Sequence, residues 1–507
     1  MLLKGFIPKK DDVVKGENRP YDEREGEDDM KDGRQIVEKL KTLQSAAFVA
    51  VGWGLLAAWA DLLGHSTGFA VPYSGLTTLG NMRVYWLAGL LLLSVFMALA
   101  PHWFERVQRS VAVFMPLAAS FGTMVFAVSV QQQFFPIEMV AVIGIVVSGA
   151  GYAWFTCLLC TMLAETQRMV YAAGSIVAGL VLKTIFVQIF TMALSESLQV
   201  GLAILLPLAV ALCAFFARKG TVTLVENDEW KPVSPGVSGY RYLVPQIAVA
   251  AIGVATVRVI TPLGFFGDPL NLFAGMLSST LGMVGVCAAM MALSYFTLAK
   301  RMETPLNKRF VPAFLVVIFA FFVTGFSGSL QGVVAAAAEV FVTATELLAH
   351  ALFWTIVVTA IRLKDTSPFR VVGLATGFYD ALSIAWVAFF FSLGVVNSAI
   401  ILVVAFVLVL VLIWLIDRSE DVGPVVPPNM MVDRRADLAE GYGLSPRETE
   451  VFMMLAQGRS RSYISEDLVL SEGTIKTHIS HIYTKLGVGN RQEMFDLLLQ
   501  SADAEED

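Results

Sequence analysis

Apolar runs, each close to the length of a bilayer crossing, follow one another from about residue 45 to residue 416, separated by short polar breaks. A spanning helix needs about 20 largely apolar residues. Read between the breaks, the pattern predicts spans at 45–63, 84–100, 111–130, 137–163, 170–193 and 198–217, then at 242–263, 270–298, 310–330, 332–361, 370–393 and 397–416. The two sets of six, 45–217 and 242–416, flank a polar loop with Pro and Gly at 218–241. Beyond a Pro-containing linker, 417–443, the period shortens to amphipathic helices over 444–500, followed by an acidic tail, 501–507. The expected fold class is all-α: a polytopic membrane bundle of 12 transmembrane helices in two halves, followed by a cytoplasmic four-helix domain.

Charge sharpens this division. The 507 residues hold 36 Lys/Arg and 42 Asp/Glu, against 56% hydrophobic residues. Of these charges, 21 fall in residues 1–44 and 26 in 417–507, leaving 31 for the 372 residues between. A soluble chain carries about 25% charged residues spread throughout, and no soluble core absorbs so long an apolar block. A plain soluble enzyme and a secreted domain are thereby excluded. Residues 1–44 mix ten basic with eleven acidic residues and read as a disordered tail without the apolar stretch of a signal peptide. Fourteen Lys and Arg lie in the even-numbered loops, among them Arg106 and Arg109, whereas the odd-numbered loops hold Arg83 alone. Basic residues stay in the cytoplasm, so both termini are expected there, with the bundle in the cell membrane. The four cysteines fall in apolar segments, where cysteine acts as a small hydrophobe, and no metal site or other cofactor is expected.

Ionisable groups inside spans are costly and mark candidate sites. Here they are Glu138, Lys183, Arg258, Glu339, Glu346, His350 and Asp380. Glu339, Glu346 and His350 are seven and four residues apart, which puts all three on one helix face, turned into the bundle. Structural pairing (Lys183 with a carboxylate, for example), a ligand pocket between the halves, and a proton relay all fit. The candidate pocket comprises Lys183, Arg258, Glu339, Glu346, His350 and Asp380.

The C-terminal domain carries the sharper signal. Ser445-Pro-Arg-Glu448 starts a helix: a Ser cap, Pro at the first helical position, and Glu three residues after the cap. Gly458 ends it, Ser460 caps a short helix with Ile464 and Leu468, and Ser471 caps a longer one running to Leu486. In that helix Ile475, Ile479, Ile482 and Leu486 follow i, i+4, i+7, i+11 and face the domain core. The opposite face offers Gly473, Thr477, Ser480 and Thr484, flanked by Lys476. This is a helix-turn-helix whose second helix suits a major groove. Lys476, Thr477 and Ser480 are placed for base edges, and Thr474, His478, Lys485 and Arg491 for phosphates. A helical protein-interaction module is the other reading, because the domain has six basic against seven acidic residues.

Leu444-Ser-Pro-Arg-Glu448, Ala456-Gln-Gly458, Leu468-Val-Leu-Ser471-Glu-Gly-Thr474-Ile-Lys476-Thr-His478 and Lys485-Leu-Gly-Val-Gly-Asn-Arg491 resemble the LuxR-type DNA-binding domain. Ser462-Tyr463 stands where that family usually has Lys-Glu, and Ser465 where it has Ala. The resemblance implies a homodimer on promoter DNA through the last helix, Arg491–Leu499, with RNA polymerase as a further partner. Two six-helix halves around a central loop resemble the major facilitator superfamily, although Ala100–Arg109 lacks that family's usual loop signature. No phosphate loop, carboxylate pair or nucleophile–His set supports an enzyme. The combined expectation is a membrane-bound one-component transcription regulator, resembling bacterial LuxR-family regulators with twelve spans. Its partners would be promoter DNA, membrane lipid and a small-molecule ligand, a dietary or environmental organic compound. The alternatives are a transporter with a regulatory DNA-binding tail, and a bundle that merely anchors the DNA-binding domain.

Overall fold

A computed structural model describes residues 44–63, 83–132, 137–165, 169–218, 240–260, 280–301, 310–326, 330–362, 366–393, 402–404, 406–408, 410–411, 438–439, 441–456, 461–489, 491, 493–494 and 497. Residues 1–45 form a unit of their own, of which only Gln44 and Ser45 are described, and Ala46–Asp507 form the second. Every described element is helical.

The membrane helices are α1 (Gln44–Leu63), α2 (Arg83–Leu99), α3 (Pro101–Gln132), α4 (Ile137–Ala164), α5 (Met169–Ala193) and α6 (Glu196–Ala217). The second half holds α7 (Tyr240–Ile260), α8 (Thr280–Thr297), α9 (Val311–Phe326), α10 (Gly332–Arg362) and α11 (Pro368–Leu393). These eleven fall on the first eleven spans of the hydropathy pattern. Seven of them, α1, α3, α4, α5, α6, α8 and α10, are long and apolar enough to cross a membrane. Described residues between 402 and 411 are helical where the twelfth span is expected.

One segment departs from the pattern. The polar stretch after Ala100, with Arg106 and Arg109, is not a loop but the opening turns of α3. Pro101 takes the first helical position, where its missing N–H costs nothing. His102 Nδ1 lies 3.0 Å from Glu105 one turn on, and Gln108 is buried, so the segment has an inner face despite its polarity.

Close backbone approach draws α2 against both halves. A Cβ placed on Gly89 would lie 2.0 Å from the Val146 carbonyl oxygen, and one on Gly149 would lie 2.1 Å from that of Trp86, so α2 and α4 notch into each other. On its other side α2 meets α11, where a Cβ on Gly373 would fall 2.5 Å from the Ser94 oxygen. Small residues permit such contact where lipid leaves no hydrophobic drive between helices. Thr376 of α11 and Ser94 of α2 add a hydroxyl contact of 2.7 Å across the same seam. Beside it, Phe104, Trp154 and Phe369, from α3, α4 and α11, stack with ring centroids 5.5 to 6.4 Å apart and are fully buried.

The C-terminal domain contains α12 (Pro446–Ala456), α13 (Arg461–Asp467) and α14 (Glu472–Leu486). Its core gathers Val451, Phe452 and Leu455 with Ile464 and the stripe Ile475, Ile479, Ile482, Leu486. Met494 closes this core from the chain beyond α14.

Candidate nucleic-acid interface and membrane cavity

The start of α12 is a reciprocal cap. The Ser445 N–H donates to Glu448 Oε2 at 2.8 Å, and the Glu448 N–H lies 3.4 Å from Ser445 Oγ. The same motif braces the rest of the domain. Arg447 donates to the Leu468 carbonyl at the end of α13, and Glu448 Oε2 accepts from Lys485 Nζ of α14 at 2.7 Å. Lys485 also donates to the Gly443 carbonyl at 3.0 Å, and His481 Nδ1 lies 3.8 Å from Glu448 Oε1. These donors hold the Glu448 carboxyl down at about 2, chiefly the hydrogen bond from Lys485 and then that from the Ser445 backbone. The turn Leu468–Leu470 forces Val469 into the left-handed region at φ 51° while leaving it exposed.

α14 itself is held at both ends. Ser471 Oγ accepts from the Thr474 N–H at 3.1 Å, and Gly487 at φ 69° closes the C-terminus, where the Val488 N–H donates to the Tyr483 carbonyl. With the isoleucine stripe buried, Thr474, Lys476, Thr477, Ser480, His481 and Thr484 are exposed together. The Thr477 hydroxyl donates to its own helix at the Gly473 carbonyl, and Thr474 Oγ1 sits 2.8 Å from the cap Ser471 Oγ. His478 is half-buried. Three of the residues expected at phosphates already have partners inside the domain: Thr474 and Lys485 as above, and Arg491, which donates to the Leu455 carbonyl at 3.3 Å. Arg491–Leu499, expected to pair dimers, lies mostly outside the described residues, as do the caps at Gly458 and Ser460.

In the membrane domain the candidate residues whose side chains are described fall on α5, α10 and α11. Lys183 pairs with Asp61 of α1 at 3.0 Å, both largely buried. Sequence reasoning passed over Asp61, whose signal was simply a carboxylate within an apolar run. Glu339 and Glu346 are buried on α10. His350 and Asp380 line a small cavity between α2 and α4 on one side and α7, α10 and α11 on the other. Four aromatic residues, Tyr152, Phe353, Trp354 and Tyr379, wall it. Arg258 stands one turn beyond the lining residue Val254 on α7, and its side chain, like that of Glu138, lies outside the described residues. Cys157 and Cys160 are buried free thiols on α4.

A capped, core-anchored helix presenting Lys and small hydroxyl residues defines a DNA-binding helix-turn-helix, here carried on the same chain as a polytopic helical bundle. Residues 443–498 match the family described as bacterial regulatory proteins, luxR family. The spore germination protein GerE of Bacillus subtilis is 39% identical over 62 residues, which is 84% of its length, and the chain belongs to this LuxR family. The nitrate/nitrite response regulator protein NarL of Escherichia coli K12 is 29% identical over 75 residues, or 35% of its length. The chain spans only 7% of a helix-turn-helix-type transcriptional regulator of Mycobacterium bovis, at 37% identity over 59 residues. The relatives cover only 11 to 15% of this chain.

Solved structures account for the rest as fold. The proton:xylose symporter XylE, a major facilitator superfamily protein, aligns over 76% of this chain and 97% of its own, at 11% identity and a TM-score of 0.55. The major facilitator transporter FucP, in its outward conformation, aligns over 75% and 100%, at 11% identity and a TM-score of 0.51. The protein therefore joins a LuxR-type DNA-binding domain to a membrane domain of major-facilitator-like fold. The matched family is one of bacterial regulatory proteins, and the solved structures that share the fold of the membrane domain are transporters.

Proposed function

We propose that this protein is a membrane-bound one-component transcription regulator. In this reading the bundle, multi-pass in the cell membrane with both termini in the cytoplasm, binds a small molecule and thereby controls how the LuxR-type domain engages promoter DNA. The observation that carries the reading is α14, whose apolar stripe is buried while Lys476, Thr477 and Ser480 stand exposed on one face. Lys476 donates to guanine O6 and N7, and Thr477 and Ser480 reach neighbouring base edges or a thymine methyl. Thr474, His478, Lys485 and Arg491 set register on phosphates. The contacts that Lys485 and Arg491 make inside the domain leave room for this, since an ammonium has three donors and a guanidinium five. Net charge does not favour a lone domain on DNA, so a homodimer on paired half-sites is the binding form, with RNA polymerase as its downstream partner. A ligand acts only if it binds one arrangement of the bundle better than another.

The test is the transcriptome of cells overexpressing the full chain against cells expressing the Lys476→Ala/Thr477→Ala variant. A compact set of genes that responds to the first and not to the second supports the regulator. Identical transcriptomes in the presence of the cell's normal growth substrates refute it. The major-facilitator-like fold favours a second reading, a transporter with a regulatory tail. Substrate flux in vesicles that survives removal of 417–507 would establish it, and a pure sensor shows none.

A further inference from the structure

The two edges of α14 differ in charge. Thr474, His478, His481 and Lys485 follow i, i+4, i+7, i+11 along one edge. That edge faces α12, where Glu448 accepts from Lys485 at 2.7 Å and lies 3.8 Å from His481 Nδ1. Lys476, Ser480 and Tyr483 follow i, i+4, i+7 along the other edge. Tyr483 is half-buried, and burial pushes its hydroxyl up while the guanidiniums of Arg491 and Arg461 oppose that rise. Both arginines therefore stand beside the edge that carries Lys476. Arg461 opens α13 and is exposed. Of the six basic residues in 444–500, Arg447 is paired with Glu450 and Lys485 with Glu448. Neither Arg461 nor Lys476 forms an ion pair among the described residues. The domain thus keeps uncommitted positive charge on its α13 side, which the net charge conceals.

In a helix-turn-helix the second helix enters the major groove while the first crosses the phosphate backbone. Here α13 is that first helix: Ile464 packs with Ile475 in the common core, and the turn at Val469 leads into the cap of α14. We propose that Arg461 is a further DNA-binding residue, its guanidinium gripping the phosphate backbone along the α13 edge of α14, beside the base contacts of Lys476. The inference rests on the DNA-binding reading above and adds a residue that the phosphate set expected from the sequence does not contain. A guanidinium meets a phosphate with two parallel N–H donors, which fixes orientation as well as charge. The contact carries no sequence information, so Arg461 holds the register in which Lys476 reads bases.

The experiment measures binding of the purified full chain, in nanodiscs, to a fluorescein-labelled duplex of arbitrary sequence and about 30 base pairs, by anisotropy across roughly 0.05 to 0.3 M salt. Each phosphate contact contributes about 0.9 to the slope of log affinity against log salt. Arg461→Gln should lower that slope by about 0.9 per protomer, or about 1.8 for a homodimer, and weaken promoter fragments and arbitrary duplex alike. Arg461→Lys, which keeps the charge but not the paired donors, should restore the slope and only part of the affinity. The thermal midpoint of both variants should match the unmodified chain, because Arg461 is exposed. Binding by the unmodified chain with the same slope in Arg461→Gln overturns the proposal and leaves the DNA-binding reading standing. A weaker complex with an unchanged slope marks a purely structural role and overturns it too. Failure of the unmodified chain to bind any duplex removes the DNA-binding reading and the proposal with it.

Discussion

Replacing Glu448 with Gln tests how the recognition helix is held. The carboxylate accepts the Ser445 N–H at 2.8 Å and Lys485 Nζ at 2.7 Å from the far end of α14. Its side chain is 7% exposed and that of Lys485 38%, so the ion pair is partly screened. Glutamine keeps one acceptor oxygen and loses the charge. A partly exposed pair contributes about 0.5–1 kcal/mol and a charged cap a similar amount, so Glu448→Gln should cost about 1–2 kcal/mol. Amide hydrogen exchange on the full chain reads this directly, because 1.4 kcal/mol is about tenfold in the open population. Amides of Ile479 and Ile482 should exchange about tenfold faster, and those of α4 should be unaffected. Acid gives an independent check. The carboxyl sits at about 2 folded against an ordinary 4.5, so the folded domain binds fewer protons. Its contribution is complete above pH 4.5 and is lost as pH falls toward 2, and the variant should lack that part of the acid sensitivity. Unchanged exchange in α14, or an identical acid profile, would refute the bracing role.

Three further outcomes follow from the geometry. Lys476→Ala should cost roughly 1–3 kcal/mol of sequence-specific DNA binding and relax preference at one base pair, measured by competition on promoter fragments. Val469→Asn should stabilise the domain by about 1 kcal/mol, seen as a later denaturant midpoint, because asparagine tolerates the left-handed backbone that strains valine and the exposed side chain gives up little burial. Lys183→Met should destabilise the bundle by about 3 kcal/mol by leaving Asp61 without its cation, and Lys183→Met/Asp61→Leu should recover most of the lost thermal midpoint.

Local order was legible wherever it is written in neighbouring residues. The Ser445 and Ser471 caps, the isoleucine stripe of α14 and the first eleven apolar helices follow from spacing, cap chemistry and hydropathy alone. What pairs across the fold was not. Nothing near Lys183 announces Asp61, because the two meet only when α5 packs on α1. Lys485 reads as one more exposed cation until Glu448 is brought beside it. The polar opening of α3 resembles a loop by composition, and only the buried face of Gln108 and the proline at its first position make it helix. The cavity was half legible: His350 and Asp380 stood out as costly groups, but its aromatic walls were lost among 35 phenylalanines, nine tryptophans and twelve tyrosines with no signal to choose between them.

The glycine contact between α2 and α11 has a mechanical consequence. Backbone meets backbone at Gly373 and Ser94, and the hydroxyl pair Thr376–Ser94 beside it is too short to follow a retreating partner far. Dispersion attraction is short-ranged, and a gap of 0.5–1 Å forfeits a quarter to a half of it. Long side chains would stretch that loss over several ångströms of travel, as a spring does. This seam instead behaves as a snap fastener, gripping fully when shut and holding almost nothing once parted, so motion at this line registers as one of two positions rather than as a graded slide.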